Sequence, residues 1–176
     1  MSKIRVVHYI NQFFAGVGGE EQAHIAPELR KELPPISTQL QGKLGEDFEV
    51  VATVVCGDSY FNENLESVQK ELLEMIKGCE PQLFIAGPAF NAGRYGVAAG
   101  TITKAVQDEL HIPAVTAMYE ENPGTDMFRK DVYILETSDS AAGMRKALPK
   151  LAKFAAKLAK GEEILSPKEE GYHQRG

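Results

Sequence analysis

The chain has 176 residues, of which 43% are hydrophobic and 25% charged, an ordinary composition for one globular domain. Its net charge of −6 argues against a protein that binds nucleic-acid phosphates, because such proteins normally carry a basic face. No apolar run approaches membrane-spanning length. The two cysteines, Cys56 and Cys79, do not form a C-x-x-C motif, and this pattern is typical of reduced thiols. We therefore expect a cytoplasmic protein that contacts neither nucleic acid nor membrane.

Short apolar, β-branched runs predict five strands, at residues 4–9, 48–55, 83–86, 113–117 and 132–135. Apolar residues at helical spacing predict helices at residues 64–79, 94–110 and 140–160. Strands that are apolar on both faces and alternate with helices indicate a mainly parallel sheet covered on each side. The predicted fold is α/β, a three-layer α/β/α sandwich around a doubly wound, Rossmann-like or flavodoxin-like sheet of about five strands.

Two segments do not follow this alternation. Residues 27–45 include Pro34, Pro35 and two glycines, so any helix at residues 37–44 should be short. Residues 161–176 contain four glutamates, a proline and little apolar surface, which predicts a linker-like tail. The sequence thus predicts a single α/β domain over residues 1–160 and a linker over residues 161–176.

Parallel sheets bind ligands outside the carboxyl ends of their strands, so the segments after each strand are the candidate site. The glycine-rich segment after the first strand, residues 16–21, has Glu21 where a dinucleotide-binding motif needs its third glycine. Glu20 and Glu21 would also repel a pyrophosphate. This acidic turn could bind a cationic group or could simply be a solvent-exposed turn.

Residues 87–96 form a glycine-rich turn between a predicted strand and a helix. Asn91, Arg94 and the first amides of that helix could hold a carboxylate, with Arg94 pairing with both of its oxygens. Alternatively, Arg94 forms a salt bridge with Glu120 or Glu121, and the glycines only permit close packing.

The loop after the fourth predicted strand begins with Tyr119, Glu120 and Glu121. Two carboxylates beside an aromatic ring could hold an amine through charge pairing and cation–π attraction. The alternative is a solvated acidic loop.

For the other candidate residues, the sequence indicates structural rather than chemical roles. No histidine can be paired with Cys56 from the sequence, so we assign no catalytic residue to this chain, and Asp58 is expected to shape a turn or cap a helix. The histidines lack metal-ligand spacing, and we expect neither a metal nor a cofactor here. A lysine stripe on the last predicted helix is either an exposed face or a docking face for another subunit; its members are Lys146, Lys150, Lys153 and Lys157.

Long stretches of the chain resemble the glycine/sarcosine/betaine reductase selenoprotein B family. These stretches are residues 6–14, 18–21, 87–96, 119–124 and 140–149. The resemblance implies the substrate-specific component of an anaerobic amino-acid reductase complex. It also implies a reaction in which a selenocysteine selenolate attacks the α-carbon, an amine leaves, and the carboxymethyl group passes to the small selenoprotein A. The implied partners are glycine, sarcosine or betaine, the other component B subunits and selenoprotein A.

The family's selenocysteine lies in a U-x-x-C-x-x-C segment of the carboxyl-terminal half, and nothing in this sequence matches it. The resemblance therefore predicts an amino-terminal fragment that is inactive alone and helps to hold a zwitterionic amine. The residues we expect to bind that substrate are Asn11, Glu20, Asn91, Arg94, Tyr95, Tyr119, Glu120 and Glu121. The alternatives are a non-catalytic assembly module and a flavin- or nucleotide-binding domain.

Overall fold

A computed structural model describes residues 2–176 and contains six strands and seven α-helices within that range. The strands are β1 (Ile4–Ile10), β2 (Glu28–Arg30), β3 (Phe48–Val55), β4 (Leu83–Ala86), β5 (Ala114–Met118) and β6 (Tyr133–Glu136). The helices are α1 (Pro35–Leu44), α2 (Asp58–Glu63), α3 (Leu65–Gly78), α4 (Gly93–Leu110), α5 (Pro123–Phe128), α6 (Met144–Ala159) and α7 (Pro167–Glu170). Single 3₁₀ turns lie at Glu20–Gln22 and Ala141–Gly143.

The strands form one sheet in the order β2-β3-β1-β4-β5-β6. All neighbouring strands run parallel except β2, which pairs antiparallel with β3 at the edge. The five parallel strands alone follow the flavodoxin-like order, in which the chain reverses direction across the sheet after its second strand. The predicted doubly wound α/β fold is confirmed, and β2 is an additional strand.

Alternate residues of the central strands pack into two separate hydrophobic cores, one on each face of the sheet. Val7 and Tyr9 of β1 point to a core shared with α3 and α4, whereas Val6 points to a core shared with α1 and α6. Side chains that alternate between the faces of a strand therefore meet helices on both sides, which makes the three-layer sandwich.

The segment between β1 and β3 departs from the sequence prediction at two elements. Helix α1 begins at Pro35, two residues earlier than the predicted helix, because proline is well tolerated in the first turn of a helix. Strand β2 has only three residues, of which none is fully buried, so it has neither the length nor the apolar pattern of a recognisable strand.

Residues 161–176 fold back onto the domain instead of forming a free linker. Tyr172 is buried against Tyr133 and Phe154, with ring centroids 5.0 and 5.7 Å apart. Backbone hydrogen bonds join Gly171 O to Glu136 N and His173 N to Ile134 O at 2.9 and 2.8 Å. The edge strand β6 offers unpaired backbone groups, and Tyr172 anchors this polar segment there together with the buried His173, whose Nε2 lies 2.8 Å from Met118 O.

A buried polar chain joins β1 to its neighbours. His8 Nδ1 lies 2.8 Å from Ser37 Oγ, which accepts a hydrogen bond from Thr53 Oγ1, and His8 Nε2 lies 2.8 Å from Gly87 O. Burial lowers the pKa of His8 to about 4, so the ring is neutral at neutral pH. His8 therefore links β1 to α1, β3 and the loop that follows β4.

Among the described residues, no helix combines the length and apolar character needed to cross a membrane.

Candidate functional site

A pocket of about 340 Å³ lies at the carboxyl-terminal edge of the sheet, a volume within the range of small-molecule sites. Most of its lining residues follow β1 or β4, adjacent strands whose connecting helices cover opposite faces. This is the topological switch point, where open α/β sheets bind their ligands. The lining residues are Asn11, Gln12, Phe13, Phe14, Gly19, Glu20, Asp58, Ala89, Phe90, Asn91, Ala92, Tyr95, Asp139, Ser140 and Ala141.

A larger groove of about 630 Å³ lies on the surface between α3 and α4. Within it, Lys104 and Asp108 pair with each other along α4 at 2.5 Å. The groove lies along helix flanks rather than at strand ends, so we assign the candidate site to the switch-point pocket.

Asp58 is the buried carboxylate of this pocket, and only 5% of its surface is exposed. Its Oδ2 accepts a hydrogen bond from Asn11 Nδ2 at 3.0 Å, and its backbone amide donates to Gln12 Oε1 at 3.1 Å. Burial raises the pKa of Asp58, although the neighbouring side-chain amides of Asn11 and Gln12 oppose the increase. Its second oxygen, Oδ1, is buried and has no hydrogen-bond partner.

Two tyrosines lie beside this carboxylate. Tyr95 lines the pocket, and Tyr9 packs behind it with a ring-centroid distance of 6.2 Å. Both side chains are fully buried, and neither hydroxyl has a hydrogen-bond partner. Burial raises the pKa of both phenols well above the ordinary value, and the Asp58 charge contributes to each increase. Both hydroxyls are therefore protonated and available as donors.

Arg94 pairs with Glu20 at the rim of the pocket, and both side chains are substantially exposed. The Glu20 carboxylate raises the pKa of Arg94. The alternative ion pair between Arg94 and Glu120 or Glu121 does not form. Asn62 Nδ2 donates to the backbone oxygens of Asp58 and Arg94 at 2.9 and 3.0 Å, which ties the start of α2 to the start of α4.

Asn91 is exposed at the mouth of the pocket, next to the first turn of α4. The loop that carries it is fixed by Asn122, whose Nδ2 donates to Phe90 O at 2.9 Å and Ala92 O at 3.1 Å. A Cβ atom at Gly96 would lie 2.0 Å from Asn122 Oδ1, so only glycine at this position lets the Asn122 side chain approach α4 so closely.

Tyr119, Glu120 and Glu121 lie outside the pocket lining. Glu120 pairs with Arg129 at 3.2 Å, and its other carboxylate oxygen lies 2.7 Å from His173 Nδ1. Glu121 interacts with the Tyr119 hydroxyl and raises the pKa of that phenol. The structure therefore brings together Asn11, Glu20, Asn91, Arg94 and Tyr95 of the predicted set, and places the other three residues elsewhere on the rim.

The remaining candidate residues are occupied structurally. Burial, followed by the charges of Asp58 and Glu71, raises the pKa of Cys56 to about 12, so its thiol is a poor nucleophile at neutral pH. Two lysines of the stripe on α6 are engaged within the domain: Lys150 Nζ donates to Glu136 O at the end of β6 at 2.9 Å, and Lys157 pairs with Glu170 of the folded-back segment at 2.5 Å.

The family model for glycine/sarcosine/betaine reductase selenoprotein B matches residues 3–176. The chain belongs to this family. It is 73% identical over 176 residues to the glycine reductase complex component B subunit gamma of Peptoclostridium litorale. It is 60% identical over 176 residues to the sarcosine reductase complex component B subunit beta of Peptoclostridium acidaminophilum, and 40% identical over 172 residues to the betaine reductase complex component B subunit beta of the same organism.

The matches to the glycine and sarcosine reductase subunits cover all of this chain, and the match to the betaine reductase subunit covers 98% of it. They cover 40%, 40% and 39% of those relatives, so the chain spans about 40% of their length. No solved structure matches the chain. Its relatives in the selenoprotein B family are thus parts of multi-subunit reductase complexes.

Asp58 is a pocket residue that was not among the residues predicted to bind substrate. Asp58 comes three residues after the end of β3, which is the position where a parallel sheet presents binding residues, but its expected role was a turn or helix cap. Asp139 was missed for a different reason, because it follows β6, which is not adjacent to β1 or β4 in the sheet, and lies just before the 3₁₀ turn at Ala141–Gly143.

Proposed function

We propose that this domain is the substrate-binding part of a component B subunit and holds a small zwitterionic amine in the switch-point pocket. The observation that carries the proposal is the charge of the pocket. Glu20, Asp58 and Asp139 line it, whereas no lysine, arginine or histidine is found among its described lining residues. An acidic, partly aromatic pocket attracts an ammonium group and repels the phosphates of a nucleotide or flavin.

The rim of the pocket offers a place for the carboxylate end of the same substrate. Arg94 lies there with the exposed Asn91 and the first turn of α4, whose amides have no partners within the helix. Arg94 would exchange Glu20 for the substrate carboxylate, with which it can form two parallel hydrogen bonds. The proposed orientation therefore places the amine inside the pocket and the carboxylate at its mouth.

The reaction that family membership supports is the reductive cleavage of a C–N bond in glycine, sarcosine or betaine. A selenolate from the part of the protein beyond this chain would supply the nucleophile, and the other component B subunits and selenoprotein A would be the partners. The role of this domain is to bind and orient the substrate. Because the Cys56 thiol is buried and protonated, we expect this chain alone to be inactive.

Calorimetric titration of the 176-residue chain with glycine, sarcosine and betaine tests this proposal. We expect binding of at least one of them, and a loss of about tenfold or more in affinity for Arg94→Ala, because one charge-assisted pair is removed. Lys104→Ala is the matched control, since Lys104 is also an exposed, ion-paired cation on α4 but lies outside the pocket.

Two results would overturn the proposal. One is the failure of all three amines to bind at millimolar concentration. The other is an equal loss of affinity in Arg94→Ala and Lys104→Ala, which would indicate a general charge effect.

A further inference from the structure

Three buried polar atoms beside the pocket lack hydrogen-bond partners. They are Asp58 Oδ1, Tyr95 Oη and Tyr9 Oη. Buried polar groups in folded proteins nearly always have a partner, because leaving one unsatisfied costs free energy. Asp58 and Tyr95 also line the cavity, so a bound molecule can supply what the protein does not.

Asp58 also lacks a cationic partner among the described residues. Arg94 contributes to its environment only at longer range, because the guanidinium is paired with Glu20. The neutral amide of Asn11 supplies the hydrogen bond to its Oδ2. A buried carboxylate without a counter-charge is unfavourable, and a ligand that brings a positive charge with a hydrogen-bond donor relieves both deficits.

The aromatic rings of the pocket pack against one another. The Phe14 ring centroid lies 6.5 Å from that of Phe90 and 6.0 Å from that of Tyr95, and Phe13 lies 5.1 Å from Phe14. These are the contact distances of aromatic pairs, so the rings fill the space between them. A cage for a quaternary ammonium group would need rings held apart on opposite sides of the methyl groups.

We propose that Asp58 is the specificity-determining residue of the pocket, and that it selects primary and secondary amines over quaternary ones. This inference rests on the proposed function. The ammonium group of the substrate donates an N–H to Asp58 Oδ1, and Tyr95 supplies a neighbouring hydroxyl. A quaternary ammonium has no N–H to donate, so its binding would leave the carboxylate oxygen buried and unsatisfied.

The experiment compares the affinities of glycine, sarcosine and betaine for the wild-type chain, Asp58→Asn and Glu63→Gln. Glu63 is the matched control, because it is an exposed carboxylate on the same helix, α2, and lies outside the pocket. We expect the wild type to bind glycine and sarcosine about tenfold or more tightly than betaine. Asp58→Asn should abolish that preference, because it should weaken the binding of glycine and sarcosine but not that of betaine. Glu63→Gln should retain the preference.

The outcomes separate this inference from the proposed function. If glycine and sarcosine bind and Asp58→Asn leaves their affinities unchanged, the inference is overturned while the proposed function stands. A wild type that binds betaine as tightly as glycine also overturns it. If none of the three amines binds, the proposed function fails and the inference fails with it.

Tyr95→Phe keeps the test valid if Asp58→Asn does not fold. This variant removes only a hydroxyl that has no partner in the protein, so the fold should be retained. We expect it to weaken glycine binding several-fold and to leave betaine binding unchanged. An equal effect on both ligands would contradict the inference.

Discussion

Asn11 Nδ2 donates to Asp58 Oδ2 across 3.0 Å, and this bond joins the segment after β1 to the segment after β3. The Asn11 amide is itself held in place, because its Oδ1 accepts from Phe14 N at 3.1 Å. One carboxylate oxygen of Asp58 is thereby fixed, while the other has no partner. Asn11 thus positions the carboxylate that we expect to meet the substrate amine.

Replacing Asn11 with alanine should destabilise the domain most at neutral pH. Asp58 would lose its side-chain donor while buried, which costs on the order of 1–3 kcal/mol for an ionised group. Protonated Asp58 depends less on that donor, so the loss of unfolding free energy should shrink at acidic pH. Urea unfolding at the two pH values measures the difference. Asn62→Ala is the control, since Asn62 donates only to backbone oxygens; a loss for Asn11→Ala that does not change with pH would contradict this role.

Asp58→Asn should leave the domain as stable as the wild type, or more stable, at neutral pH. The folded-state pKa of Asp58 is raised, so its carboxyl favours folding when protonated and opposes folding as the pH rises through that pKa. The variant removes this unfavourable charge, so the free energy of unfolding should rise. Thermal and urea unfolding against pH should show the gain growing from acidic to neutral pH. A variant that is less stable at neutral pH would indicate that the carboxylate has a structural role.

Acid should destabilise the fold through His8. Its pKa falls from 6.5 to about 4 on folding, so the neutral ring favours the folded state. This contribution is fully present above pH 6.5 and is lost as the pH falls, and the loss reaches about 3 kcal/mol near pH 4. The pH dependence of the unfolding free energy should flatten over that interval in His8→Gln. An equally steep profile in the variant would assign the acid sensitivity to other groups.

Tyr172→Ala should destabilise the domain by about 3 kcal/mol, because a buried aromatic ring is removed from between two others. Unfolding free energies and amide hydrogen exchange at Glu136 and His173 measure the effect. Leu165→Ala is the control from the same segment, since its side chain is exposed. If Tyr172→Ala leaves stability and exchange unchanged, residues 161–176 behave as the linker that their composition predicts.

The parallel core of the fold could be predicted from the sequence because its strands are buried on both faces. The runs at Phe48–Val55 and Leu83–Ala86 are almost continuously apolar, so the predicted and observed bounds agree. Strand β2 and the folded-back segment could not be predicted, because a short edge strand and a segment held by the two adjacent side chains of Tyr172 and His173 leave no periodic pattern.

The site was predictable only in part, for a geometric reason. The rule for parallel sheets identifies the correct edge, and Asn91 and Tyr95 follow from it. Which rim segments meet depends on strand order, and the sequence does not give the order. Because β4 lies beside β1, the segments after those strands meet at the pocket, whereas Glu120 follows β5 and turns to Arg129.

The most direct test of an amine site at Asp58 is its carboxyl pKa, measured by carbon-detected NMR with and without saturating glycine. An ammonium group bound at the carboxylate favours the charged form, so we predict that glycine lowers the pKa of Asp58. By linkage, glycine should also bind more tightly as the pH rises through that pKa. An Asp58 pKa that glycine binding does not change would contradict the account.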